Sequence, residues 1–256
     1  MLTAKNASSH ILYFGNKSKI LKEKQMIDVK WYTYDEIISM LETGDKVAFL
    51  IRHSQKSGDN LTENGIAWVN DTKSQITTAG LSVNSFDYYS SGASYCDATL
   101  NAFGAQSYSI LSCLNKYFYY DSSTINNNRN IISAYSYCHP STGEDELTSE
   151  HAALIGCGTT EASISEHVNL KTSLLMDAIL NKLNNTQNNI MMVTHDDILV
   201  PFTVTIAGKG LHMRAYMSDA AEKEWISFMG GTAIILRADK TFRAYPITSG
   251  HEDPTN

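Results

Sequence analysis

The chain has 256 residues, 43% of them hydrophobic and 18% charged, with 20 Lys and Arg against 27 Asp and Glu for a formal net charge of −7. Such a composition fits a globular protein with enough chain for one sizeable α/β domain, or at most two small ones. No basic stripe runs along it, which argues against a general nucleic-acid binder, and no apolar run approaches the roughly 18 residues that span a bilayer.

Residues 1–30 mix Lys, Asn and Ser with few periodic apolar positions and are expected to form an N-terminal extension, with 31–256 as a single domain. The extension lacks the uninterrupted apolar segment of a secretory signal; a cytoplasmic placement and export after removal of a leader both stay open. Tyr34 to Leu41 predicts a short helix, with acidic residues in its first turn, Ile37, Ile38 and Leu41 on one face and Gly44 as its stop. Val47 to Ile51 is five consecutive apolar residues, the mark of a strand covered on both faces, and it ends abruptly in Arg52-His53-Ser54-Gln55-Lys56. Helices are expected over Ile66–Ile76 and Ala93–Gly104, with a strand at Phe86–Tyr89 between them. About 105–160 is expected to be an inserted cap, irregular and rich in Tyr, Ser and Asn from Cys113 onwards. Leu175, Ile179 and Leu183 recur at spacing four within a long helix predicted over Ser165–Asn185. Asn189 to His195 is a second buried strand, and it too ends on a histidine. Thr232–Leu236 is a third apolar run, with Thr241–Ile247 placed to pair beside it as a hairpin. This alternation predicts a layered α/β/α sandwich with a mainly parallel central sheet and an irregular inserted cap region.

In sheets of this kind ligands bind at the carboxyl ends of the strands, and two separate strands deliver Arg52-His53 and His195-Asp196 there. A neutral imidazole is a nucleophile, a guanidinium is a rigid fork matching two phosphate oxygens, and a carboxyl can hold or pass a proton. Together these are parts for phosphoryl transfer to a histidine, and Lys56, four residues after Arg52, would be a second cation on the same loop. Each part also has a structural reading. A histidine at a strand end can be a hydrogen-bonded core residue, Asp196 or Asp197 can cap the helix opened by Ile198-Leu199-Val200, and Lys56 can be a solvated charge. A metal-dependent hydrolase finds no support in the spacing of the eight histidines, which contain no HExxH, with His151, His167, His212 and His251 scattered. Nor do Cys96, Cys113, Cys138 and Cys157 offer a CxxC; they read as scattered buried thiols.

The ordered set of motifs resembles the histidine phosphatase superfamily, which includes phosphoglycerate mutases and histidine acid phosphatases. Arg52-His53 with Leu61-Thr62-Glu63-Asn64-Gly65 looks like its RHG motif and LTxxG turn, and Asp87-Tyr88-Tyr89-Ser90-Ser91 like its second strand and YSS turn. Thr194-His195-Asp196 is similar to the second histidine motif in its His-Asp form, as in the acid phosphatase branch, and Trp225 to Leu236 to the late segment and final strand. The resemblance implies His53 as the nucleophile forming a phosphohistidine, Arg52 and His195 as phosphoryl ligands, and Asp196 as proton donor. Lys56 stands where that branch has a second arginine. Ser54 replaces a small Gly or Ala, and Tyr95 stands where the family has another phosphate-binding arginine. Lys116 or Arg129 from the irregular middle segment would be candidates to fill that gap.

The expectation is therefore a metal-independent phosphatase without a cofactor, acting on a small phosphomonoester through a phosphohistidine intermediate. The alternative is a catalytically impaired relative that binds a phosphorylated ligand or a partner, motivated by Tyr95. A mutase would need a second cluster of cations to hold its product, and none is visible. Oligomeric state and substrate identity are not legible in the residues. The tyrosines Tyr117, Tyr119, Tyr120, Tyr135 and Tyr137 either line a pocket or pack the cap.

Overall fold

The computed structural model describes residues 30–115, 118–119, 162–207 and 226–251. Its centre is the run Val47–Ile51, every residue of which is fully buried. Successive side chains of a strand point to opposite faces, so Val47, Phe49 and Ile51 join one apolar cluster and Ala48 and Leu50 the other. Met191 and Val193 follow the first set, Ile190 and Met192 the second. A strand apolar at every position is thus the signature of a sheet with a core on each side.

In chain order the described elements are α1 (Tyr34–Ser39), β1 (Lys46–Arg52), β2 (Lys56–Ser57), β3 (Asn60–Leu61), α2 (Glu63–Thr78), β4 (Asp87–Ser90) and α3 (Ser94–Phe103). There follow β5 (Ser109–Ile110), α4 (Ala162–Asn184), β6 (Ile190–Thr194), α5 (Asp196–Ala207), β7 (Gly231–Leu236) and β8 (Phe242–Ile247). The main sheet has the order β5-β4-β6-β1-β7-β8. The pairs β5–β4, β4–β6 and β6–β1 are parallel; β7 runs antiparallel to β1 and pairs antiparallel with β8. Five strands therefore share one direction and β7 alone opposes them. Helices α1, α2 and α3 supply Ile37, Val69, Ile76, Leu100 and Phe103 to one core, and α4 and α5 supply Leu175, Ile179, Leu183, Ile198 and Phe202 to the other. The layers are α/β/α, as the alternation predicts.

Register decides where the strands end. Arg52 pairs with Thr194, and Ser90 with Val193, so the carboxyl ends of β4, β6 and β1 lie side by side at the centre of the sheet. The backbone continues that alignment past the strands: His53 N–H donates to the Thr194 carbonyl at 2.9 Å and Ser91 N–H to the Val193 carbonyl at 3.2 Å.

Some elements differ from the reading of the sequence. Lys56–Leu61 forms a small β2–β3 hairpin where a loop is expected, and Ser109–Ile110 adds an edge strand. Helix α2 opens at Glu63, three residues before its first apolar position, because Thr62 caps it by accepting the Gly65 N–H at 3.0 Å. Helix α5 begins at Asp196 itself. The expected N-terminal extension lies outside the described residues, as does most of the expected cap. No helix among the described residues is long and apolar enough to cross a membrane.

Candidate active site

Arg52 closes β1 with 8% of its surface exposed, and its guanidinium is held from three sides. Its Nη1 donates to the Ile226 carbonyl at 3.0 Å, its Nη2 lies 3.2 Å from Oδ2 of Asp196, and the ring of Phe228 stands 4.2 Å beneath its centre. The backbone of Arg52 is clamped as well, its N–H donating to the Gly230 carbonyl at 2.8 Å and its carbonyl accepting from Met229 N–H at 3.2 Å. That clamp needs a small residue at the start of β7, since a Cβ on Gly231 would come within 2.1 Å of the Leu50 carbonyl oxygen.

His53 follows at 5% exposure, and its Nδ1 sits 2.8 Å from the Ser54 carbonyl. A carbonyl can only accept, so Nδ1 carries the hydrogen and Nε2 keeps the lone pair. Burial, and then the charge of Arg52, hold the imidazole neutral, its pKa lowered from 6.5 to about 3. The ring lies 4.5 Å from that of Tyr95, 5.7 Å from Phe228 and 5.8 Å from His195, centre to centre.

Ser54 and the LTENG turn make this placement rigid. Ser54 N–H donates to Thr99 Oγ1 at 3.1 Å and its hydroxyl to the Gly65 carbonyl at 2.7 Å. Gly65 is required by close approach, because a Cβ there would meet the Gln55 carbonyl oxygen at 2.1 Å.

His195 follows the last residue of β6, 4% exposed. Its Nδ1 faces the Tyr95 hydroxyl at 3.2 Å, and its Nε2 faces Ser91 Oγ at 2.9 Å and Cys96 Sγ at 3.9 Å. Ser91 sits there because the chain turns sharply after β4 at Gly92, whose φ of +86° suits a residue without a Cβ. Tyr95 is the second residue of α3, and Lys56 Nζ lies 4.6 Å above its ring from the β2–β3 hairpin. A bond of 2.7 Å from Ser94 Oγ to Asp59 Oδ1 ties that hairpin to the start of α3.

All five residues singled out from the sequence thus meet at one end of the sheet: Arg52, His53, His195 and Asp196 directly, and Lys56 through the ring of Tyr95. Tyr95 packs edge-on against both histidine rings, 4.5 Å from His53 and 5.4 Å from His195. Ser91, Cys96 and Phe228 also contact the histidines or Arg52, and the sequence did not single them out. Ser91 had a signal in its place after the strand. The Gly230-Gly231 pair marks a close backbone approach beside Phe228, but nothing in sequence says to what. Among the described residues no three His, Cys, Asp or Glu side chains converge as a metal-holding group, and Cys96 and Cys113 are free thiols. His251 stacks on Trp68 at 5.2 Å and lies 3.4 Å from Oδ2 of Asp71. Tyr119 is a packing residue, 1% exposed with its hydroxyl 2.9 Å from Thr172 Oγ1. Lys116, Arg129, Tyr117, Tyr120, Tyr135 and Tyr137 lie outside the described residues.

No family model and no curated protein matches this sequence. Among solved structures the chain is similar to a phosphoserine phosphatase from Entamoeba histolytica in complex with 3-phosphoglyceric acid, at 17% identity and TM-score 0.46, over 79% of this chain and 98% of that one. It is similar also to a phosphoglycerate mutase from Bacillus anthracis, at 11% identity and TM-score 0.42, over 79% of this chain and 92% of that one. A third is a putative alpha-ribazole-5'-P phosphatase from Escherichia coli, at 15% identity and TM-score 0.41, over 78% of this chain and 96% of that one. At these identities and TM-scores the likeness decides neither the reaction nor the substrate of this chain.

Proposed function

We propose that the protein hydrolyses a small phosphomonoester through a phosphohistidine on His53. The observation that carries this reading is the 2.8 Å contact of His53 Nδ1 with the Ser54 carbonyl, which leaves Nε2 with a neutral lone pair on a ring that feels the charge of Arg52 and lies 5.8 Å from that of His195. In the first step Nε2 attacks phosphorus, the P–N bond forms, and the P–O bond to the leaving group breaks. Arg52 and His195 hold the phosphoryl oxygens as their charge grows. Asp196 gives a proton to the leaving oxygen. A phosphoryl dianion drawn to Arg52 competes for the guanidinium that Asp196 holds at 3.2 Å, and its negative charge favours protonation of the released carboxyl. In the second step water attacks the phosphohistidine, Asp196 takes back a proton, the P–N bond breaks, and phosphate leaves with His53 neutral again.

A second reading, a relative that binds phosphorylated ligands without turning them over, is favoured by one observation. Tyr95 brings a hydroxyl to the site where an arginine would bring a charge, and loss of a charged donor to a transferring phosphoryl group costs several kcal/mol, or on the order of a hundredfold in rate.

Hydrolysis of an aryl phosphate between pH 4 and 8, with a chelator present, tests both. The phosphatase reading expects turnover in the chelator that falls on the order of a thousandfold or more in His53→Ala. Activity surviving that substitution would remove His53 as the nucleophile. Activity lost to the chelator would point to a metal-dependent hydrolase instead. No turnover by the wild type, with inorganic phosphate still raising the melting temperature, would favour the binding reading.

A further inference from the structure

Nε2 of His195 is surrounded by groups placed to accept. Ser91 Oγ, 2.9 Å away, receives the Ala93 N–H at 3.2 Å and gives its own hydrogen to Cys96, which leaves it a lone pair for the ring. Cys96 Sγ, 3.9 Å away, directs its own hydrogen to the Thr194 carbonyl at 3.7 Å and so turns sulfur lone pairs to the imidazole. Burial keeps that thiol protonated, its pKa raised to about 12. A ring nitrogen facing two acceptors carries its hydrogen, and in a neutral imidazole the other nitrogen must then be met by a donor. At Nδ1 stands the Tyr95 hydroxyl, 3.2 Å away. Lys56 Nζ over the face of that phenol, at 4.6 Å, draws density from the ring and strengthens its O–H as a donor.

We infer that Tyr95 is a positioning residue whose hydroxyl donates to Nδ1 of His195, fixing the neutral tautomer whose Nε2–H, held by Ser91 Oγ in the absence of ligand, passes to a phosphoryl oxygen when one binds. This rests on the phosphatase reading for what Nε2–H meets, though not for the tautomer itself. An arginine at this position would add charge directly. Tyrosine instead makes an uncharged histidine into a donor, and leaves Lys56 as the cation that accompanies it. The site then needs no proton on His195 to bind a phosphoryl oxygen, and its activity extends above the pH at which an ordinary imidazole loses its charge, about 6.5.

Nitrogen NMR of the 15N-histidine-labelled full chain reads the tautomer directly at about pH 8, where ordinary imidazoles are neutral. His195 signals are assigned by their loss in His195→Gln. The wild type and Ser91→Ala are expected to hold the Nε2–H form, and Tyr95→Phe, which keeps the ring on His53 and loses one oxygen, to show a mixture. An Nδ1–H tautomer in the wild type, or a Tyr95→Phe spectrum unchanged from it, overturns the inference whether or not the protein turns over substrate. Where the wild type is active, Tyr95→Phe should lower kcat about tenfold or more with KM nearly unchanged. A loss confined to KM, or no loss, overturns it equally. Absence of wild-type turnover counts against the phosphatase reading alone, because the spectra still decide the tautomer.

Discussion

A buried imidazole beside a guanidinium leaves a mark on stability as well as on reactivity. His53 in the folded chain has its pKa lowered to about 3, against 6.5 in the unfolded one, first by burial and then by Arg52. Below 6.5 the unfolded chain binds a proton that the folded chain refuses. Stability contributed by this group is therefore full above about 6.5 and is lost as the pH falls towards 3. The slope has a ceiling of about 1.4 kcal/mol per pH unit for one proton. Urea unfolding between pH 6 and 4 should show the wild type losing more stability per pH unit than His53→Asn. Equal slopes would mean that His53 is not held neutral. The pair Arg52–Asp196 and the contacts of His195 are legible in sequence only as residue types, because the partners come from 144 positions away in the first case, which is 196 minus 52, and from α3 in the second.

Short elements carry the precision of this site. The β2–β3 hairpin brings Lys56 over Tyr95, and the turn ending at Gly65 braces Ser54 next to His53. Gly65→Ala would drive a Cβ to 2.1 Å from the Gln55 carbonyl oxygen. The backbone must move to admit it, at a cost of about 1–3 kcal/mol, seen as a drop of roughly 2–12 °C in melting temperature. Because Ser54 bonds to Gly65, aryl phosphate turnover should fall in the same variant beyond what the loss of folded protein explains. A melting temperature equal to that of the wild type would show that the turn is not rigid. The turn at LTENG was expected only from the resemblance of that stretch to a family motif, while the Thr62 cap and the close approach at Gly65 are local chemistry that the structure supplies. The hairpin just before it was not legible, because two-residue strands hold too few side chains to give a period.

Across the whole molecule the site draws on strands β1, β4 and β6, helices α3 and α5 and the loop before β7, so any ligand bound there links both layers of helices to the sheet. A ligand that binds only the folded state stabilises it, by about 2.7 kcal/mol at a hundred times its Kd. Inorganic phosphate should therefore raise the melting temperature of the wild type in a saturable way, and much less that of Arg52→Ala, each measured against its own phosphate-free value. Equal shifts in the two proteins would place the phosphate elsewhere on the chain. The net charge of −7 makes non-specific phosphate binding unfavourable and sharpens that comparison.

From the sequence alone came the three-layer α/β class, the places of the long elements and the identity of Arg52, His53, Lys56, His195 and Asp196 as a set. The first two follow from a local rule, that apolar runs must be covered on both faces; the set was named as candidates because two such runs end in residues of this kind. Tertiary structure alone decided that β7 enters antiparallel, that Tyr95 packs against both histidines under Lys56, and that Phe228, Ser91 and Cys96 complete the surroundings. Strand register and helix packing set those contacts, and both depend on residues far apart in the chain that no local pattern can join.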